Sequence, residues 1–468
     1  MVYPGIRRSS LLLLLLLLSA PALAQPGESV APGSAVPKPA PIAVTRLDNG
    51  LDVIVVEDHA IPLATISIAV RNGSFTEPDQ FAGLSHLYEH MFFKSNARIP
   101  SQERYMKKVR ELGIVFNGYT TDEVVVYFFT LPAKNLRAGM EFMSDAIQSP
   151  LFLDDELVKE REVVLGEFDR NEASPEFALR YAIDSALWMP HVSRKQPLGQ
   201  RQIIKTATAE KMRMIQERFY IPNNSALIVS GDVKQSDVLG LARKFLGDWK
   251  RGPEPFPTYM PPKFAPLASK LVVREAKVPD VVIRMHFYGP SIGVDEPDIH
   301  TGQLFAAIIR QQTSRLYNNL VDSGLVTGFN AFQDNARNTG DFSFYLSAPK
   351  EKAAAAIAAL KREVKRMGEP GYFSADEIAA AKEIIEARST FERDDINRFN
   401  TGTVAQWWSL ASIDYYETFP AKTRTITAAQ LTDFARRYLS GRPFVLGVGA
   451  ERKTLDALNM TEEALKWN

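Results

Sequence analysis

The stretch "SKLVVREAKVPDVVIRMHFYGPSIGVDEPDIHTGQLFAAII", Ser269 to Ile309, repeats an order of signals already met near the start of the chain. There, "TRLDNGLDVIVVEDHAIPLATISIAVRNGS", Thr45 to Ser74, holds alternating β-branched runs at Leu51–Glu57 and Ala64–Val70, bounded by Asn49-Gly50 and Asn72-Gly73. Both stretches pass through an apolar run ending in Glu, a proline, an alternating strand and a glycine turn, and then Glu-Pro-Asp leads into a helical pattern. Matching Glu77-Pro78-Asp79 to Glu296-Pro297-Asp298 gives an offset of 219 residues. Between the two copies lies "RGPEPFPTYMPPKFAPLASK", Arg251 to Lys270, whose six prolines mark a linker. The chain therefore reads as two tandem homologous domains, residues 44–250 and 271–468, joined by 251–270. Its 468 residues agree, being more than one hydrophobic core accommodates.

Composition places the chain among folded globular proteins, with 45% apolar and 24% charged residues. Lysine plus arginine (55) balances aspartate plus glutamate (55), so no global field draws it to nucleic acid or anionic lipid. Residues 1–24 read as a cleaved signal peptide: Arg7 and Arg8, the Leu11–Leu18 run, then Ala22-Leu23-Ala24. The apolar run is too short to span a bilayer, and a chain without cysteine has no lipid attachment point there, so no stable membrane anchor is expected. Residues 25–43 are rich in Pro and Ala and form a disordered lead-in. The protein is expected in the periplasm or outside the cell, standing on its core without disulfides.

Within the first half, "GLSHLYEHMFFKSN", Gly83 to Asn96, lies in a helical pattern running from about Phe81 to Lys94. His86, Glu89 and His90 fall within roughly 100° of arc on such a helix. Both imidazoles can then reach one ion while the carboxylate points at the ion's open position, where it can act as a base. The flanking Leu84, Leu87, Met91, Phe92 and Phe93 are apolar, and a packed helix has no use for three unpaired ionisable groups on one face. The spacing predicts a zinc site with its own general base. At the 219-residue offset the second half carries Phe305, Ile308 and Ile309, so it has lost the polar cluster.

A catalytic zinc site needs a third protein ligand. The helical stretch "DDELVKEREVVLGEFDRNE", Asp154 to Glu172, offers Glu160 and Glu167 on one face, but Glu156, Glu162 and Glu172 compete with them.

Taken together, the His-x-x-Glu-His string and "KEREVVLGEFDRNE" resemble the inverted-motif zinc peptidases of the pitrilysin, insulin-degrading enzyme and mitochondrial processing peptidase superfamily. In that family a ligand glutamate follows about 77 residues after the motif, which falls on Glu167. The resemblance implies one Zn2+ per chain held by His86, His90 and Glu167, Glu89 as general base, and Glu160 supporting the site. It also covers "FNGYTTDEVVVYFFTLP", where Asn117 matches an asparagine that holds a substrate carbonyl beside an edge strand. The implied fold is α+β, each half a mainly antiparallel sheet covered by helices. The implied substrates are peptides or unfolded polypeptides.

One departure bears on mechanism. The family's second half carries an arginine and a tyrosine, seven residues apart, that clamp the transition state. In "TSRLYNNLVDSGLVTGFNAF" these positions fall on Val321 and on Thr327 or Gly328, and neither residue type is present. Arg315 and Tyr317 match the helix before the pair. The resemblance therefore implies a homologous partner subunit that supplies the Arg/Tyr pair. The alternatives are a zinc-retaining binding scaffold, or a homodimeric peptidase with another clamp.

Overall fold

A computed structural model describes residues 41–258, 264–338 and 340–467. The leader expected over 1–24, most of the lead-in and the middle of the proline-rich stretch lie outside the described residues. Ala43, assigned to the lead-in, is already the first residue of a strand.

The alternating runs form strands because one apolar face of each can be buried. In the first half these are β1 (Ala43–Arg46), β2 (Asp52–Glu57), β3 (Leu63–Val70), β4 (Val115–Thr120), β5 (Val125–Pro132) and β6 (Ser225–Gly231), in the order β1-β2-β6-β3-β5-β4. In the second half β7 (Lys270–Glu275), β8 (Val281–Tyr288), β9 (Gly328–Gln333), β10 (Asp341–Ala348) and β11 (Val445–Ala450) follow the order β7-β11-β8-β10-β9. Apart from β1 the two orders coincide, including the single parallel pair in each, β2 with β6 and β7 with β11. The registers coincide as well. Across the first sheet Asn117 stands opposite Phe128, Phe128 opposite Ser67, and Ser67 opposite Ile228. The matching row of the second sheet is Asn330, Tyr345, Arg284 and Gly447. The fold is thus α+β and duplicated.

Helices α1 (Leu84–Phe92) and α2 (Asp154–Glu172) border the site, whereas α3 (Phe177–Trp188) and α5 (Ala405–Leu410) pack between the halves and α4 (Glu296–Ile309) fills the second core. The motif helix is shorter than the expected Phe81–Lys94. Gly83, in the left-handed region at φ 94°, sets its start, and a Cβ there would lie 2.5 Å from the Leu198 carbonyl oxygen. In the second half Phe305, Ile308 and Ile309 are buried, and Phe305 packs on Phe342, Phe373 and Phe434.

Helices of its own half cover one face of each sheet, and the opposite face is closed by the other half. Val404, Ala405 and Trp408 from the second half pack on Ile54, Val56, Ala69, Val126 and Ile228. Leu179, Ile183 and Leu187 of α3 pack on Val272, Val282 and Val445. Gly447 lets α3 approach, since a Cβ on it would lie 2.4 Å from Ile183 Cδ1. At the first of these contacts Asn400 is fully buried; its Nδ2 donates to Ser230 Oγ (2.9 Å), and its Oδ1 accepts from Ser67 Oγ (2.6 Å). Asn400→Ala is expected to destabilise the chain by about 1–3 kcal/mol, the cost of leaving buried hydroxyls without that partner. Denaturant midpoints of the two proteins check this, and an unchanged midpoint contradicts it.

Candidate metal centre

The start of α1 is held from outside the helix. The buried Glu77 carboxylate accepts from the backbone N–H of Gly83 (2.7 Å) and of Ser85 (2.5 Å), satisfying donors that a helix start leaves open. Leu84, Leu87, Tyr88, Met91 and Phe92 sink into the first core, which turns His86, Glu89 and His90 to the other side. That side borders a cavity of about 590 Å³, whose walls also include Glu160 and Glu167 of α2 and Asn117–Thr120 of β4.

Three donor atoms meet there. His86 Nε2 lies 3.3 Å from His90 Nε2 and 3.5 Å from Glu167 Oε2, and His90 Nε2 lies 3.8 Å from that same oxygen. Tetrahedral ligands at about 2.0–2.1 Å from zinc are separated by about 3.3–3.4 Å, so the triangle fits such an ion with little movement. Among the described residues it is the one such His/Cys/Asp/Glu group. Burial, then the neighbouring His90, pushes His86 down to about 3, so at neutral pH its imidazole is uncharged and free to donate a lone pair.

Glu160 lies behind the triangle. Its Oε1 is 2.8 Å from His90 Nδ1, and its Oε2 is 2.5 Å from Lys94 Nζ. With Nδ1–H donating to the carboxylate, Nε2 of His90 is left as the acceptor facing the other two donors. Burial opposes the charge on Glu160, but His90 and Lys94 outweigh it and hold the carboxyl below its ordinary range.

Glu89 stands apart from the triangle. Thr120 Oγ1 donates to its Oε2 at 2.9 Å, and burial, opposed by His90 and Thr120, raises its carboxyl to about 6. Gly118 makes room for it, because a Cβ there would lie 2.9 Å from Glu89 Oε1. Asn117 is on β4, whose one sheet neighbour is β5, and its Oδ1 accepts from the N–H of Gly118 at 2.9 Å.

The competing glutamates separate by partner. Glu156 accepts from Ser95 Oγ, Glu172 is paired with Arg201, and Glu162 is exposed. Glu160 and Glu167 alone among the five border the cavity. Lys94 and Thr120 were missed from sequence. Lys94 carried one signal, its place one turn after His90; Thr120 carried none, because it meets Glu89 only through the β4–β5 pairing. The positions expected for a clamp lie elsewhere: Val321 is in the π-helical segment Asn318–Asp322, Thr327 Oγ1 donates to Asp280, and Arg315 sits over the Tyr372 ring. None of them lines this cavity.

Residues 52–198 match the family "Insulinase (Peptidase family M16)", and residues 206–385 match "Peptidase M16 inactive domain". An "Uncharacterized zinc protease" of Rickettsia felis is 23% identical over 70% of this chain and 78% of its own length. "Mitochondrial-processing peptidase subunit beta" of Rattus norvegicus is 24% identical over 75% of this chain and 72% of its own. The first half of the periplasmic protease PqqL from Escherichia coli has the same fold, with a TM-score of 0.75 at 19% identity over 92% of this chain and 96% of that one.

The donor triangle predicts one equivalent of zinc per chain, measured by elemental analysis, and its loss in His86→Ala and Glu167→Gln. Glu160→Gln should keep the ion but bind it about 10–100-fold more weakly in competition with a chromophoric chelator. Retention of full affinity in Glu167→Gln would refute the triangle.

Proposed function

Because the chain belongs to the M16 peptidase superfamily, we propose that it is an exported zinc metallo-endopeptidase subunit that hydrolyses peptides or unfolded polypeptides. In this reading residues 44–250 are the zinc-binding domain and 271–468 a homologous domain without the motif. The observation that carries it is the near-tetrahedral spacing of His86, His90 and Glu167 with the Glu89 carboxylate tethered beside them. When bound, zinc supplies Lewis-acid activation of a water nucleophile and of the scissile carbonyl. Glu89 takes the proton from that water and returns it to the leaving amine. Thr120 holds one of its oxygens and leaves the other for the proton. His90 is kept in the tautomer a ligand needs by Glu160, which Lys94 anchors. An extended substrate adds to the open side of β4, where Asn117 meets its backbone.

The same reading includes a homologous partner that supplies an arginine and a tyrosine, since Val321, Thr327 and Gly328 stand at those positions. A protein similar to this chain is named as a subunit, the beta subunit of mitochondrial processing peptidase, which supports a heteromer. The periplasmic PqqL supports the periplasm as the site of action. No helix among the described residues is long and apolar enough to cross a membrane. A second reading, a zinc-bearing peptide-binding scaffold, is favoured by the missing clamp and opposed by Glu89, since a structural ion needs no base.

The test is cleavage of a quenched peptide by the chain alone and mixed with a similar chain that carries the Arg/Tyr pair. Activity is expected in the mixture and lost with chelator. Glu89→Gln should reduce kcat by about 10²–10⁴-fold, the range for a proton-transferring group, while zinc stays bound. Full activity of the chain alone would remove the partner from the reading; zinc binding with no cleavage in any mixture would leave the scaffold.

A further inference from the structure

The tip of the β4–β5 hairpin carries two carboxylates that the reaction does not use. Asp122 and Glu123 follow Thr120 by two and three residues, and neither lines the zinc cavity. Both are engaged in the junction between the halves. Lys195 Nζ lies 2.5 Å from Asp122 Oδ2 and 3.7 Å from Asp334 Oδ2, and Asp334 belongs to the β9–β10 hairpin of the second half. Glu123 accepts from the backbone N–H of Arg337 (2.7 Å) and Asn338 (3.2 Å) and from Asn338 Nδ2 (3.0 Å), on that same hairpin. Tyr119, inside β4, donates its hydroxyl to the Thr401 carbonyl at 2.7 Å.

We propose that Lys195 is a positioning residue for the substrate-binding edge: with Asp122 and Asp334 it ties the β4–β5 hairpin to the second half, which serves as a strut for β4. What β4 binds rests on the peptidase reading; the tie itself does not.

The argument starts from cost. Only 7% of the Lys195 side chain is exposed, and it runs beside the Trp188 and Phe75 rings. Burying an ammonium is expensive even beside half-exposed carboxylates, and an apolar residue of similar volume would often hold a junction as well or better. What ion pairs add is a fixed relative position. That position matters here because β4 has one sheet partner, so its other side has no ladder to set where it lies. The tip is fixed from the first half as well, by Phe75 N–H donating to the Asp122 carbonyl at 2.8 Å, on the segment that leads to Glu77 and α1. The hairpin is therefore clamped between the start of the motif helix and the second half. Thr120, at the base of the clamped tip, is the residue that holds Glu89. Burial works against the Lys195 ammonium, but Asp122 and Asp334 outweigh it and keep it charged.

The test uses the full chain in a Glu89→Gln background, where a polypeptide binds without being cut. The probe is reduced, carboxymethylated, fluorescein-labelled α-lactalbumin, which is permanently unfolded, and its affinity is read by polarisation. Lys195→Met should weaken probe binding on the order of tenfold, as a small misplacement of a binding element does. Amide exchange over residues 117–125 should quicken, with zinc affinity unchanged. Lys195→Arg should recover both. Where Lys195→Met fails to fold, Asp334→Asn and the neutral triple variant Asp122→Asn, Lys195→Met, Asp334→Asn carry the same expectation. Unchanged probe affinity and unchanged exchange in a folded variant overturn the proposal. A probe that fails to bind even the Glu89→Gln chain counts against the peptidase reading instead, and hairpin exchange then decides the tie alone.

Discussion

Each sheet of this protein is apolar on both faces, and each half supplies helices for only one of them. The uncovered face of the first sheet, with Ile54, Ala69, Val126 and Ile228, is closed by Ala405 and Trp408. That of the second is closed by Leu179 and Ile183. Burial of this apolar surface is the main force joining the halves, at about 25 cal/mol per Å² removed from water. Neither half has a complete core without the other. The glycines of β11 and the Asn400 network are consequences of that exchange: one lets a helix approach closely, and the other satisfies polar groups the contact would strand.

The same joining places the chemistry. Because α3 reaches across to the second sheet, the segment after it, through Lys195 to Leu198, returns along the boundary between the halves, and Pro197 and Leu198 become walls of the cavity that His86, His90 and Glu167 line. The cavity is lined by ionisable groups, and burial alone would neutralise several of them. Pairing decides which stay charged. Glu160 keeps its charge against burial because His90 and Lys94 both meet it, whereas burial of Glu89 outweighs the nearby His90 and its hydrogen bond from Thr120 and pushes it up to about 6. Two carboxylates on the same cavity thus have different proton affinities, set by their partners.

Much of this was legible in the sequence, for reasons that also explain what was not. Alternation with period two gave the strands, and its repetition after the proline-rich stretch gave the duplication, because both are local patterns imposed by burial. His86, Glu89 and His90 were legible because a helix converts spacing into a shared face. Which glutamate of α2 joins them was not, since Glu156, Glu160 and Glu167 all turn toward the same side. Only the resemblance pointed to Glu167, and only packing separates Glu156, taken up by Ser95, from the other two. Thr120 and Lys195 were silent because their partners lie 31 and 73 residues away through strand pairing and domain contact. The helix α3 was not read from the sequence, and nothing in its apolar positions says which of two sheets it covers.

The two halves keep one architecture but not one side-chain cluster. The second sheet preserves strand order, register and even the sequence Phe-Asn at Phe329-Asn330, matching Phe116-Asn117. At the next position Gly118 becomes Ala331, which is fully buried. In the first half that place must stay open, because a methyl group would press on Glu89 Oε1. In the second half, where Ile308 and Phe305 fill the core, a methyl adds packing and displaces no carboxylate. A glycine beside a glutamate and an alanine beside an isoleucine are therefore one constraint read twice: the first half gives up apolar packing to make room for an ionisable side chain, and the second, without that side chain, keeps the packing.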